Sequence, residues 1–292
     1  MSVVGWVGVG VMGRSMCGHL LAAGHTVQVY TRTKASAQAV LDAGAIWCEQ
    51  PGDVARGAEF VFTIVGYPAD VRAVYLGEGG IVDTAGPGTV VVDMTTSEPS
   101  LAGEIHARAA AKGIHALDAP VSGGDLGARN ASLAIMVGGE QAAFDRALPL
   151  FQKMGQNIRL MGGPGAGQHT KMSNQILIAG TMIGVVESLL YAVRSGLDVD
   201  AVIDVIGSGA ASSWSINNLG RKVANGDYAP GFFIKHFVKD MGIALAEAKR
   251  MKIALPGLAL VEQLYVAAMA QGLENLGTQG LYLALKQING LK

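Results

Sequence analysis

Cysteine is nearly absent. Cys17 and Cys48 are the two in 292 residues, too few for a disulfide framework and without metal-ligand spacing. That excludes a small stapled secreted fold and a zinc module, and a reducing cytoplasm is the expected compartment. Charge is scarce as well: 15% of residues are charged and the formal net charge is −1. Nucleic acid and anionic membrane surfaces both demand clustered Lys/Arg, and no such cluster occurs, so neither is expected as a partner. No basic leader precedes the first apolar run, and Glu187 interrupts the longest apolar stretch. The expectation is a run too short for a bilayer and a soluble, unprocessed chain.

Half of the residues are hydrophobic and 41 are glycine, the composition of a globular enzyme. The length exceeds one typical core, so two domains are expected, with the division at 162/163.

Residues 3–9 form a β-branched apolar run, followed by Gly8-Val9-Gly10-Val11-Met12-Gly13 and a helical pattern that ends at Gly24. Strand, glycine turn and helix in that order are the context a dinucleotide fingerprint requires. Gly8 permits the turn, Gly10 lets the backbone approach a pyrophosphate, and Gly13 lets helix pack on strand. Val11 and Met12 lie between them at the anion-binding helix start. The next strand, 26–30, runs into Thr31-Arg32-Thr33-Lys34. Where NAD sites carry an acidic residue for the ribose, this chain has a guanidinium and hydroxyls, which suit a 2′-phosphate and point to NADP, with NAD possible. A solvated basic turn is the other reading of the same residues.

Strands at 60–65, 90–93, 115–119 and 133–137 alternate with helices at 34–43, 68–75, 97–112 (with Ser97 as cap) and 142–150. That alternation predicts a parallel, doubly wound sheet, with Val65 and Thr95-Thr96 at strand ends facing the cofactor. After 115–119 comes Asp118-Ala119-Pro120-Val121-Ser122-Gly123-Gly124. Its serine hydroxyl and glycine N–H groups suit a carboxylate, although an ordinary Ser-Gly-Gly turn has the same sequence.

Gly163, Pro164 and Gly165 open a long helix that Gly196 closes. Lys171, Asn174 and Gln175 share one face near its start, and the stretch beyond is apolar all round, the mark of a buried helix. Lys171 is either functional or snorkels to water from the helix start. Further helices are expected at 199–206, 213–224, 236–251, 257–271 and 278–290, giving an all-helical second domain. Lys239-Asp240 would, alone, be a surface pair of small energetic effect.

Taken together, Gly8-x-Gly10-x-Met12-Gly13, the 118–124 motif, Gly165-x-Gly167-x-x-x-Lys171-x-x-Asn174 and Lys239-Asp240 resemble the β-hydroxyacid dehydrogenase family in order and spacing over nearly the whole chain. The resemblance implies a Rossmann domain, an interdomain helix and a helical C-terminal domain, with a substrate cleft between domains. It implies Lys171 as acid/base, with Ser122, Gly123 and Gly124 on the substrate carboxylate and Asn174 on the reacting oxygen or its neighbour. Thr96 and Lys239 would lie near the cofactor, with Asp240 anchoring Lys239. The substrate implied is a small carboxylate-bearing alcohol or aldehyde, and the assembly a homodimer or homotetramer. Phe232 is placed beside the substrate or in the core. No metal site is expected. Thr31 stands where NADP-using members often carry Asn, Thr95 where Ser is common, and Gly66-Tyr67 replaces a Leu/Pro-containing turn. Two rival readings are an imine reductase, for which a different acid is expected at position 171, and a non-catalytic NADP-binding module.

Overall fold

The computed structural model describes residues 1–291. The chain divides into two compact units at Lys171/Met172, inside the long helix.

The first unit contains β1 (Val3–Val7), α1 (Val11–Ala22), β2 (Thr26–Tyr30), α2 (Gln38–Asp42), β3 (Ile46–Trp47), β4 (Phe60–Thr63), α3 (Pro68–Leu76) and α4 (Ile81–Thr84). It continues with β5 (Val90–Asp93), α5 (Pro99–Ala110), β6 (His115–Asp118), β7 (Val121–Ser122), α6 (Gly124–Arg129), β8 (Leu133–Gly138), α7 (Gln141–Phe151), β9 (Gly155–Gly162) and the start of α8 (Ala166–Arg194). The sheet order is β3-β2-β1-β4-β5-β6-β8-β7, with β9 paired to β8. From β3 to β6 every pairing is parallel. β8 then runs antiparallel to both β6 and β7, so the expected parallel sheet carries a mixed edge. Strand β9, parallel to β8, was not expected from the sequence. Its residues alternate in burial without an apolar run, because it covers the core on one side alone.

Central strands alternate their side chains between two cores. Phe60, Phe62, Val90 and Val92 point to the layer that contains α1 and α7, while Val61 and Val91 point to the layer of α3 and α5. Burial on both faces is why these strands read as unbroken apolar runs. Trp6, Phe62 and Phe151 pack in sequence, at 5.7 Å stacked and 5.9 Å edge-on, which fixes their rings in the favoured offset and T-shaped geometries.

Helix α5 begins at Pro99 with Glu98 as N-cap, so Ser97 is not the cap expected. Proline is favoured at the first helical position and forces its predecessor into extended backbone, which moves the start two residues on. The Ser97 N–H donates instead to Gln168 Oε1 at 3.0 Å.

The second unit holds the remainder of α8, then α9 (Val199–Ile206), α10 (Arg221–Ala224), α11 (Ile234–Met251), α12 (Pro256–Ala270) and α13 (Leu281–Ile288). A π-helical turn at Ser215–Gly220 precedes α10. The N-terminus of α9 is capped by Asp198, which accepts from the N–H groups of Asp200 and Ala201. Ile203, Phe237, Met241, Tyr265 and Leu281 form the core with α8's Met182, Val186 and Leu189. Tyr265 meets Phe237 edge-on at 5.1 Å and donates its buried hydroxyl to the Thr278 carbonyl.

One expectation about α8 is corrected. Glu187 does not break its apolar run: the helix has 29 residues and a stretch of mean hydropathy 2.0, enough by length and composition to cross a membrane. The central helix of a soluble protein meets the same test. One stripe of it, with Leu177, Gly180, Gly184 and Tyr191, is exposed.

Candidate functional site

The glycine turn after β1 has the geometry a dinucleotide needs. Gly8 has φ +95°, and a side chain there would strike the Ile64 carbonyl. A Cβ at Gly13 would strike the Gly8 carbonyl and Ile64, so that position is reserved for close packing of α1 on the turn. Gly10 is different: a Cβ there meets nothing within 4 Å. Gly10 is the N-cap of α1, which has neither a side-chain cap nor an acidic residue in its first turn, so its leading N–H groups have no side-chain acceptor. An open, uncapped helix N-terminus fits a pyrophosphate. Val11 is 56% exposed at this mouth, Met12 is half-buried, and the turn lies where the sheet order reverses between β1 and β4.

At the tip of β2, Thr31, Arg32 and Thr33 follow as expected. The Arg32 Nη1 donates to Asp70 Oδ1 at 3.1 Å, and its side chain is 79% exposed. Lys34 lies 4.9 Å from the Trp47 ring centroid. Val65, just after β4, donates its N–H to Thr95 Oγ1 at 3.0 Å, while Thr95 donates its own N–H to Asp93 Oδ1. Thr95 Oγ1 is buried and accepts from Val65, and Thr96, the expected cofactor contact, is the half-buried neighbour beyond it.

The long helix is seated on the 118–124 segment. Asp118, 4% exposed at the end of β6, accepts from the Gly165 N–H at 2.8 Å and the Gln168 N–H at 2.7 Å. A carboxylate from a distant strand thus caps α8, complementing its positive end. Burial pushes the Asp118 carboxyl above the usual range, against the opposing effect of these N–H donors. Gln168, also buried, donates to the Thr95 carbonyl at 2.7 Å and accepts from Ser97. Three residues past Asp118, the Val121 carbonyl accepts from Lys171 Nζ at 2.8 Å. Lys171 is 7% exposed, so it does not snorkel to solvent. Ser122 is half-buried and Gly123 and Gly124 have φ of +129° and +63°, which turns the chain into α6 beside that carbonyl.

Sequence reasoning named Lys171, the 122–124 turn and Asp118 as the first residue of the 118–124 motif, but it gave no role to Asp118 and did not name Gln168, which together fix the start of α8. The signal was available: a lone aspartate at the end of an apolar strand, where an unpaired carboxylate is costly.

In the second unit Asn174 Nδ2 donates to Gln175 Oε1 at 2.7 Å, and Gln175 Nε2 donates to Asp240 Oδ2 at 2.6 Å. Lys239 Nζ lies 3.1 Å from Asp240 Oδ1, with side-chain exposures of 12% and 1%. The Lys239-Asp240 pair is therefore internal rather than a surface pair, and Asn174 joins it through Gln175, a link the sequence did not reveal. His236, edge-on to Phe233, is pushed below the usual histidine pKa by burial and by Lys239 and Lys235. Phe232 packs edge-on against Phe237 at 5.8 Å. Among the described residues no group of three His, Cys, Asp or Glu side chains is arranged to hold a metal.

Residues 3–163 match the family described as the NAD binding domain of 6-phosphogluconate dehydrogenase, and residues 165–285 that described as NAD-binding of NADP-dependent 3-hydroxyisobutyrate dehydrogenase. A probable 3-hydroxyisobutyrate dehydrogenase-like protein of Arabidopsis thaliana is 52% identical over 99% of this chain and 86% of its own length. The chain belongs to the β-hydroxyacid dehydrogenase family. Another relative, 2-hydroxy-3-oxopropionate reductase of Escherichia coli, is 36% identical over 97% of each chain. Among solved structures, a Mycobacterium tuberculosis 3-hydroxyisobutyrate dehydrogenase with L-serine superposes with a TM-score of 0.89 at 29% identity, over 98% of this chain and 99% of that one. A β-hydroxyacid dehydrogenase is an NAD(P)-dependent oxidoreductase, and residues 3–163, which carry the glycine turn, match an NAD-binding domain.

Proposed function

We propose that this β-hydroxyacid dehydrogenase interconverts a small β-hydroxyacid and its semialdehyde with NADP(H) as preferred coenzyme, and that Lys171 is its acid/base. The observation that carries the reading is the dry ammonium of Lys171, donating to the Val121 carbonyl one residue before Ser122-Gly123-Gly124. Gly10, Val11, Met12 and Gly13 at the α1 N-terminus would hold the pyrophosphate, Arg32 with Thr31 and Thr33 the 2′-phosphate, and Val65 and Thr96 the remainder. When bound, the nicotinamide supplies or accepts the hydride.

The chain's own residues then orient substrate and manage one proton. Ser122 and the N–H groups of Gly123 and Gly124 bind a carboxylate. Lys171, already aimed by Val121, donates its proton to the growing alkoxide during reduction and accepts the hydroxyl proton during oxidation. Asn174, oriented by Gln175, bonds the reacting oxygen or its neighbour. Because oxidation needs the neutral amine, it is favoured at alkaline pH. The relatives' names, a 3-hydroxyisobutyrate dehydrogenase-like protein, a 2-hydroxy-3-oxopropionate reductase and a 2-(hydroxymethyl)glutarate dehydrogenase, support a small carboxylate-bearing hydroxyacid or semialdehyde as substrate.

The exposed stripe of α8 with Leu177, Gly180, Gly184 and Tyr191, which also carries Glu187, supports a homodimer or homotetramer by offering apolar contact area to a second copy. Following NADPH oxidation over a panel of carboxylate-bearing semialdehydes tests the function. Turnover that requires the carboxylate is the expected outcome, whereas turnover of cyclic imines alone, or of nothing in the panel, contradicts it.

A further inference from the structure

Residues 31–37, which follow β2, contain no aspartate or glutamate, yet a carboxylate reaches this corner from another element. Asp70, in the first turn of α3, accepts from Arg32 Nη1 at 3.1 Å through Oδ1 and from the Tyr67 N–H at 3.1 Å through Oδ2. The two partners differ in mobility: the Asp70 side chain is 23% exposed and tied to the backbone, whereas Arg32 is 79% exposed. Lys34, the neighbouring cation, is drawn to the Trp47 ring instead. A fixed carboxylate therefore holds a guanidinium that is free to swing away.

We propose that Asp70 is a specificity-determining residue that holds this enzyme back from exclusive use of NADP. The proposal rests on the reading of Arg32 as the 2′-phosphate ligand. A guanidinium binds phosphate as a fork, and a carboxylate accepts a ribose hydroxyl, so the pair offers both chemistries at one point. With a 2′-phosphate, Arg32 leaves Asp70 for the phosphate, and the carboxylate that remains repels the ligand. With a 2′-hydroxyl, Asp70 accepts its hydrogen bond while Arg32 stays paired. The acidic residue that NAD sites carry at the end of the second strand is here supplied from α3.

Fluorescence titration of the full-length protein with NADPH and NADH, each for wild type, Asp70→Asn and Arg32→Ala, tests this. Asparagine retains an oxygen for the Tyr67 N–H and so keeps the helix cap, and Asp70→Gln, neutral and a capping-box residue at this position, provides a second variant should the first fold poorly. Asp70→Asn is expected to tighten NADPH about fivefold, the loss of one like-charge contact near the surface, and to weaken NADH by a few-fold, moving the Kd ratio about tenfold toward NADPH. Arg32→Ala is expected to weaken NADPH about tenfold or more and to spare NADH. If Arg32→Ala discriminates while both Asp70 variants leave the ratio within twofold of wild type, Asp70 has no such role and the phosphate reading stands. If Arg32→Ala affects both coenzymes equally, or neither, the phosphate reading falls and takes the proposal with it.

Discussion

Removing the carboxylate that caps the long helix has calculable consequences. In Asp118→Ala, the N–H groups of Gly165 and Gln168 lose their buried acceptor. Each unsatisfied buried donor costs about 1 to 3 kcal/mol, so the two together cost roughly 2 to 5 kcal/mol, less whatever is regained by no longer burying a carboxylate. Asp118→Asn keeps one acceptor but turns an NH₂ toward a donor, and should cost roughly half as much. At about 2 to 4 °C per kcal/mol for a unit of this size, the alanine variant should melt on the order of 5 to 15 °C below wild type. The Asp118 carboxyl is raised in the folded state, by burial first, so the folded protein holds that proton more tightly than the unfolded chain does. Wild type therefore gains stability relative to Asp118→Asn as pH falls through the raised value, and the melting-point gap widens toward about pH 4. A slackened α8 start also shifts Lys171 against Val121, so kcat should fall about ten- to a hundredfold, with the coenzyme KM nearly unchanged. Thermal melts between pH 4 and 8 and NADPH-coupled rates provide both readouts. An alanine variant that melts within 1 °C of wild type with its kcat intact refutes the reasoning.

The glycines of the first turn should separate by role. Gly13→Ala, whose Cβ would strike the Gly8 carbonyl, should destabilise the protein by roughly 1 to 3 kcal/mol. Gly10→Ala, whose Cβ meets open space, should leave the melting temperature within about 2 °C yet weaken coenzyme binding, which titration calorimetry can read. Cys17 is fully buried and its thiol is pushed up to about 12, so an alkylating reagent at pH 8 should leave it unmodified in the native protein and label it once the chain is unfolded.

Elements with one strong periodic signal were legible in the sequence. β2 and β5 fall at 26–30 and 90–93 as expected, β5 because a buried β-branched run has few other uses and β2 because its valines alternate with more exposed residues at strand period. The long helix was readable from the Gly163-Pro164-Gly165 punctuation and from Gly196, though it occupies Ala166–Arg194. β9 and the antiparallel edge were not readable, since a polar edge strand such as Gly155–Gly162 carries no apolar pattern and its pairing is decided by tertiary contact. The site shows the same division. Fingerprint glycines and Lys171 announce themselves locally, whereas Asp118 under α8, Gln168 across to Thr95, and Asp70 beside Arg32 act over separations of 38 to 73 residues that no local pattern encodes.

The most direct test of the central claim is the turnover number of Lys171→Ala with NADPH and the best semialdehyde of the panel. A proton donor contributes about 10² to 10⁴ in rate, so kcat should fall by that factor while the variant stays folded and retains coenzyme affinity. A folded Lys171→Ala enzyme whose kcat lies within threefold of wild type contradicts the assignment.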